Sequence, residues 1–219
     1  HGNRSVSSQS GSADVLQALG VRLDLTPEAV GRCIDEVGFG FLFAPELHPA
    51  MKYAIGPRRE MGVRTIFNIL GPLTNPAGAT VQLVGVYDRT LVEPLAHVLA
   101  DLGSEAAFVV SSADGLDELS VTGPNLVARL QNGTVSAMTL DAADYGLPRA
   151  TLEAIRGGDP AYNAEALRRL LLGEPGAYRD AVLLNAAGAL LVAGKVDDWR
   201  AGVEEAAEAI DKGLAKSLL

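Results

Sequence analysis

The stretch from residue 81 to 110 constrains the fold more than any other. Residues 81–86 read as a strand, 91–102 as a helix and 107–110 as a second strand. Strand, helix, strand in that order makes a right-handed crossover between two parallel strands. Further on, residues 125–130 and 134–140 flank Gln131-Asn132-Gly133, and Asn-Gly between two apolar runs signals a hairpin. Helical patterns then occupy 163–172, 177–192 and 196–216. These elements predict an α/β fold, with a central mixed, largely parallel sheet flanked by helices.

The first third of the chain is less regular. Ser12 is placed to cap a helix running to Leu19, with Gly20 just beyond its end. Thr26-Pro27 opens a second helix to about Val37. Residues 39–43, aromatic and Gly-spaced, predict a buried strand. A helix over 49–55 is expected to break at Gly56-Pro57. Residues 64–77 read as a helical turn, then a loop rich in Pro, Asn and Gly. With no internal repeat or low-complexity linker, residues 1–219 are expected to form one α/β domain.

Charge narrows the function classes. The net charge is −9, which argues against a nucleic-acid binder, because such proteins neutralise phosphates with Lys and Arg. A small phosphorylated ligand stays open, since local N–H groups and bridging metal ions can hold it. The lone cysteine, Cys33, excludes an internal disulfide and reads as a structural core thiol. The longest apolar run, 181–194, contains Asn185 and is too short for a membrane span of roughly 20 residues. A cytoplasmic enzyme is the expectation.

Four segments carry candidate chemistry, each with a plainer alternative. His1-Gly2-Asn3-Arg4-Ser5-Val6-Ser7-Ser8, continuing through Ser10 to Ser12, is a polar loop before a helix start. It is either an anion site supplied with N–H groups, hydroxyls and a guanidinium, or a frayed terminus. Asp117 and Glu118 follow the second strand, where ligands gather in open α/β sheets. They are either oxygen ligands for Mg²⁺ or a solvated acidic turn. Arg58 can grip a carboxylate through two parallel hydrogen bonds, or pair with Glu60 at the surface. His48, before Pro49, is a helix cap, a ligand or a base.

The stretches HGNRSVSSQSGSADVL, HPAMKYAIGPRREMGVRTIFNILGPLTNPA, DGLDELS and YRDAVLLNAAGALLVAG occur in that order. Together they resemble the anthranilate phosphoribosyltransferase family, with RTIFNILGPLTNPA its most specific segment. The resemblance implies transfer of phosphoribose from phosphoribosyl pyrophosphate (PRPP) to the amine of anthranilate, with Mg²⁺, in tryptophan biosynthesis. It implies PRPP contacts from His1, Gly2, Asn3, Arg4, Ser5, Val6, Ser7, Ser8 and Ser12. It also implies anthranilate contacts from Asn3, His48 and Arg58, and a metal role for Asp117 and Glu118.

The family's N-terminal helical domain, through which it forms homodimers, and its Gly-rich PRPP loop are not among these 219 residues. The chain is therefore expected to be a portion truncated at its N-terminus, weak or inactive alone. The alternatives are a pyrimidine nucleoside phosphorylase-like enzyme and a non-catalytic nucleic-acid-binding relative.

Overall fold

The computed structural model describes residues 1–5, 9–48, 53, 56, 60 and 67–219. They fall into two compact units. The first comprises His1–Gly78, Gly157–Arg169 and Ala215–Leu219, and the second Ala79–Arg156 and Leu170–Leu214.

In the first unit, helix α1 spans Ser12–Ala18. Its N-cap is Gly11 rather than Ser12, and Asp14 in its first turn accepts from the Gly11 N–H at 3.0 Å. That bond replaces the serine cap expected from the sequence, because a carboxylate three residues into a helix can reach back to the cap N–H. Helix α2, Pro27–Val37, starts as predicted: Thr26 Oγ1 accepts from Ala29 N at 3.3 Å, and Gly38 ends it with φ +85°. Cys33 on α2 is half-buried, with a free thiol.

Residues 39–43 do not form the predicted buried strand. Phe39 is exposed, and only Phe43 makes a bridge, parallel to Gly2. Two glycines in three positions, Gly38 and Gly40, leave this segment little pleated surface to pair. Short α3, Ala44–Leu47, and α4, Phe67–Leu73, follow. Tyr53, Gly56 and Glu60 are each helical, and Pro57 of the expected break lies outside the described residues. The rest of the helix expected over 49–55 lies outside the described residues.

The second unit holds the sheet. Strands β1, Val81–Gly85, and β2, Ala106–Ser112, flank helix α5, Val92–Asp101, and pair in parallel with Val81 opposite Ala106. Strands β3, Asn125–Gln131, and β4, Thr134–Leu140, form the predicted hairpin, with Asn132 and Gly133 at φ +50° and +73°. Positive φ at both turn residues is the type I′ geometry that Asn-Gly favours. The order is β1-β2-β3-β4. The sheet is mixed and flanked by helices, as expected, but not largely parallel among the described residues. β2 meets β3 antiparallel, as β3 meets β4. The chain leaves β2 through residues 113–124 and returns beside it without a crossover helix.

Helix α6, Pro160–Leu171, precedes α7, Ala177–Val192, and α8, Trp199–Asp211. Helix α5 packs on β2, β3 and β4, whereas α7 packs on β1, β2 and α8. β2 is consequently buried almost throughout. The two last helices approach closely through small residues: a Cβ on Gly202 would lie 2.9 Å from Ala187 Cα. Phe108 of β2 stacks on Trp199 at 5.5 Å between centroids.

Candidate active-site segments

In the first unit, the N-terminal loop lies along residues 42–44. Gly2 N donates to Leu42 O at 3.1 Å, and Ala44 N donates to Gly2 O at 2.9 Å. This pairing carries His1 to His48 at the end of α3, with their Nε2 atoms 3.2 Å apart and the rings edge to face. Gly2 also packs on Ser12: an added Cβ would come within 2.4 Å of Ser12 Oγ. His1, Gly2, Asn3, Arg4, Ser5, Ser12 and His48 are therefore brought together. Val6, Ser7, Ser8 and Arg58 lie outside the described residues.

The loop satisfies much of its own polarity. The N–H groups expected to be bare at the start of α1 are engaged: Ala13 N donates to Asn3 O, and Asp14 N and Val15 N donate to Gly11 O. Asp14, which sequence reasoning did not single out, organises the loop. Its carboxylate accepts from Ser5 N and Gly11 N at 3.0 Å each and pairs with Arg4 Nη1 at 2.9 Å. The Arg4 guanidinium also lies over the Phe43 ring, 5.6 Å from its centroid. An acidic residue at the third helical position was the available signal.

These bonds make a testable statement about pH. The N–H groups of Ser5 and Gly11, and then Arg4, hold the Asp14 carboxyl below its ordinary value of 3.8. A depressed carboxyl stabilises the fold above the unfolded value, and that contribution is lost as pH falls through the folded one. Asp14→Ala is expected to cost about 1.5–3 kcal/mol of local stability at pH 7. Measured by amide exchange, Ser5 and Gly11 should exchange at least roughly tenfold faster in the variant. The difference should shrink as pH falls below 3.8. An equal difference at every pH would assign the effect to lost packing.

In the second unit, the parallel strands β1 and β2 end side by side, and residues 113–124 leave from that edge carrying Asp117 and Glu118. Both acidic residues are exposed. Dense protein around Glu118 nevertheless desolvates its carboxyl and raises its pKa, and the charges of Asp117 and Asp114 push the same way. Tyr178 at the start of α7 is raised by burial and then by the charge of Glu118. These influences on Glu118 all act in one sense, as desolvation beside like charges does.

Asp114 is not a third free ligand. It accepts from the hydroxyls of Ser112, Ser120 and Thr122 and from Leu116 N. Among the described residues no group of three or more His, Cys, Asp or Glu could hold a metal ion. Two adjacent carboxylates are nevertheless a hard-oxygen donor set of the kind Mg²⁺ uses together with phosphate oxygens and water. The residues present fit that ion.

The chain matches the family described as "Glycosyl transferase family, a/b domain" over residues 1–216. It is 56% identical to an anthranilate phosphoribosyltransferase of Rhodopseudomonas palustris (strain BisB5), over all of this chain and 65% of that protein. It resembles the crystal structure of anthranilate phosphoribosyltransferase from Thermus thermophilus, with TM-score 0.94 and 47% identity. That match covers all of this chain and 65% of the other. The yeast Saccharomyces cerevisiae enzyme in complex with PRPP and Mg matches at TM-score 0.88 and 28% identity, over all of this chain and 61% of the other. The chain thus spans 65% of the length of the curated relative it matches. On the match over residues 1–216, the chain belongs to the glycosyl transferase family, in its a/b domain.

Proposed function

We propose that the protein carrying this chain is an anthranilate phosphoribosyltransferase, a cytoplasmic, homodimeric enzyme of tryptophan biosynthesis. The observation that carries this reading is structural likeness to the Thermus thermophilus enzyme along the whole chain, taking in both the N-terminal loop and the acidic loop. PRPP and Mg²⁺ enter from the yeast relative that binds them.

The chemistry asks for positioning and charge neutralisation rather than a strong base. The aromatic amine is neutral near pH 7. Its lone pair forms the N–C bond to the sugar's anomeric carbon as the bond to pyrophosphate breaks. That bond's electron pair leaves with pyrophosphate, and the amine proton passes to solvent. Asp117 and Glu118 would hold Mg²⁺, which when bound neutralises charge on the departing pyrophosphate. Their placement beyond the carboxyl ends of β1 and β2 suits a phosphorylated ligand. Asn3, His48 and Arg58 bind anthranilate, Arg58 through its carboxylate. His1, Gly2, Arg4, Ser5, Val6, Ser7, Ser8 and Ser12 complete the loop over PRPP. Fixing both reactants in line supplies a large part of the rate.

Arg58 gives a direct test. Losing a charge-assisted bond to a carboxylate costs about 1.5–3 kcal/mol, a tenfold to hundredfold effect or slightly more. Arg58→Ala is expected to raise the KM for anthranilate by that factor and to move the KM for PRPP much less. Arg58→Lys should recover only part, since Lys keeps the charge but not the planar fork. Equal losses for the two substrates would give Arg58 a structural role instead.

A further inference from the structure

The loop that carries Asp117 and Glu118 is held from more elements than a solvated turn needs. Asn185, midway along α7, donates from Nδ2 to Leu119 O at 2.7 Å, while Leu119 N donates to its Oδ1 at 3.0 Å. The same Nδ2 donates to Ala181 O at 2.9 Å, one turn back on its own helix. The next residue is held in the same way from β3. Ser120 N donates to Asn125 Oδ1 at 2.7 Å, and Asn125 Nδ2 donates to Ser120 O at 2.9 Å. Two asparagine amides thus pair with consecutive peptide groups as a neighbouring strand would. On the other side, β1 touches the loop directly. A Cβ on Gly85 would lie 1.5 Å from Asp117 O, so only glycine lets the backbone of Asp117 rest there.

A half-buried asparagine in an apolar helix is an expensive way to hold a loop. Its amide must be fully satisfied to offset desolvation, and here each hydrogen bond outside its own helix goes to Leu119. Leu119 is fully buried and immediately follows the acidic pair. Fixing its peptide groups fixes the direction in which the chain presents the two preceding carboxylates.

We propose that Asn185 is a positioning residue of the acidic site: its amide clamps both peptide groups of Leu119 and so aims Asp117 and Glu118 for a metal-bound polyphosphate. This rests on the proposed Mg²⁺–PRPP role of that pair. Outer partners of metal-binding groups typically contribute tenfold to hundredfold in affinity, and that is the effect expected.

The test uses Asn185→Leu, which removes both bonds at similar volume, and Asn185→Ala in case the first does not fold. Both are made in the full-length gene product. Two quantities are read: amide exchange across residues 113–120, and the affinity for PRPP at fixed Mg²⁺ beside that for anthranilate. The Leu119 amide is expected to exchange at least roughly tenfold faster, with β2 and β3 still protected. PRPP affinity in Mg²⁺ should fall by at least about tenfold, and anthranilate affinity should hold within about twofold. Asp117→Asn with Glu118→Gln is run alongside. If that pair abolishes the Mg²⁺ dependence of PRPP binding and the Asn185 variants leave it intact, the positioning role is overturned and the function stands. If the acidic pair variant also keeps wild-type Mg²⁺ dependence, the functional reading fails and the positioning role with it. Parallel loss of both substrates would make Asn185 merely structural.

Discussion

Phe108→Ala is expected to lower the stability of the second unit by about 3–5 kcal/mol, the usual cost of emptying an aromatic site in a packed core. Phe108 is 1% exposed and lies at the centre of β2, stacked nearly parallel to Trp199. Tyr145 approaches the same indole at 6.2 Å. Truncation therefore leaves a cavity against the largest side chain of the core, and the neighbouring helix cannot collapse into it, because α7 and α8 already touch through Gly188 and Gly202. Trp199 is the only tryptophan, so denaturant titration followed by its fluorescence reports this unit directly. Val98→Ala supplies the contrast. Val98 is exposed on α5, and its truncation is expected to stay within about 0.5 kcal/mol. Similar midpoints for the two variants would contradict the packing described.

Asp117→Asn with Glu118→Gln is expected to have the larger effect on function. Metal stabilisation of charge on a leaving polyphosphate is worth several kcal/mol, so the double variant should lose on the order of a thousandfold in kcat/KM for PRPP. Stability should move in the opposite sense. Desolvation by the surrounding protein, and then the neighbouring carboxylates, raise the Glu118 carboxyl above its ordinary 4.5. A raised carboxyl stabilises the fold below the unfolded value, and that contribution is lost as pH rises through the folded one. Neutral side chains escape that loss. The variant is therefore expected to be at least as stable as wild type at neutral pH, and nearer to it in acid. A fall in both stability and activity would mean that the pair holds the loop together rather than holding a ligand.

What the sequence disclosed follows from how local each signal is. The crossover from β1 to β2, the Asn132-Gly133 hairpin and α7 with its stated bounds were all legible, because period, turn chemistry and helix length are written within a few residues. The share of parallel pairing was not. It depends on where the chain goes after Ser112, and nothing in residues 113–124 announces a return beside β2. The strand expected at 39–43 failed for a similar reason: aromatic residues show that a segment seeks burial, not that a partner strand exists.

The candidate site divides along the same line. The acidic pair and the N-terminal loop could be picked out by residue type. The side chains that hold them could not. Asp14, Asp114 and Asn125 look like ordinary polar residues, and their value comes from peptide groups and hydroxyls that only the fold brings close. Asn185 was visible as a polar interruption of an apolar helix, but its partner Leu119 is 66 residues away. Gly85 likewise reads as a weak point in a strand until Asp117 is seen resting on it.

The most direct test of the proposed function is a substrate assay on the full-length gene product that carries these residues. Anthranilate fluorescence and pyrophosphate release are followed together, with PRPP and Mg²⁺ supplied separately and in combination. Anthranilate is expected to be consumed only when PRPP and Mg²⁺ are both present, with one pyrophosphate released per anthranilate. Failure to consume anthranilate under those conditions, with phosphate-dependent release of a base from a pyrimidine nucleoside instead, would contradict the proposal.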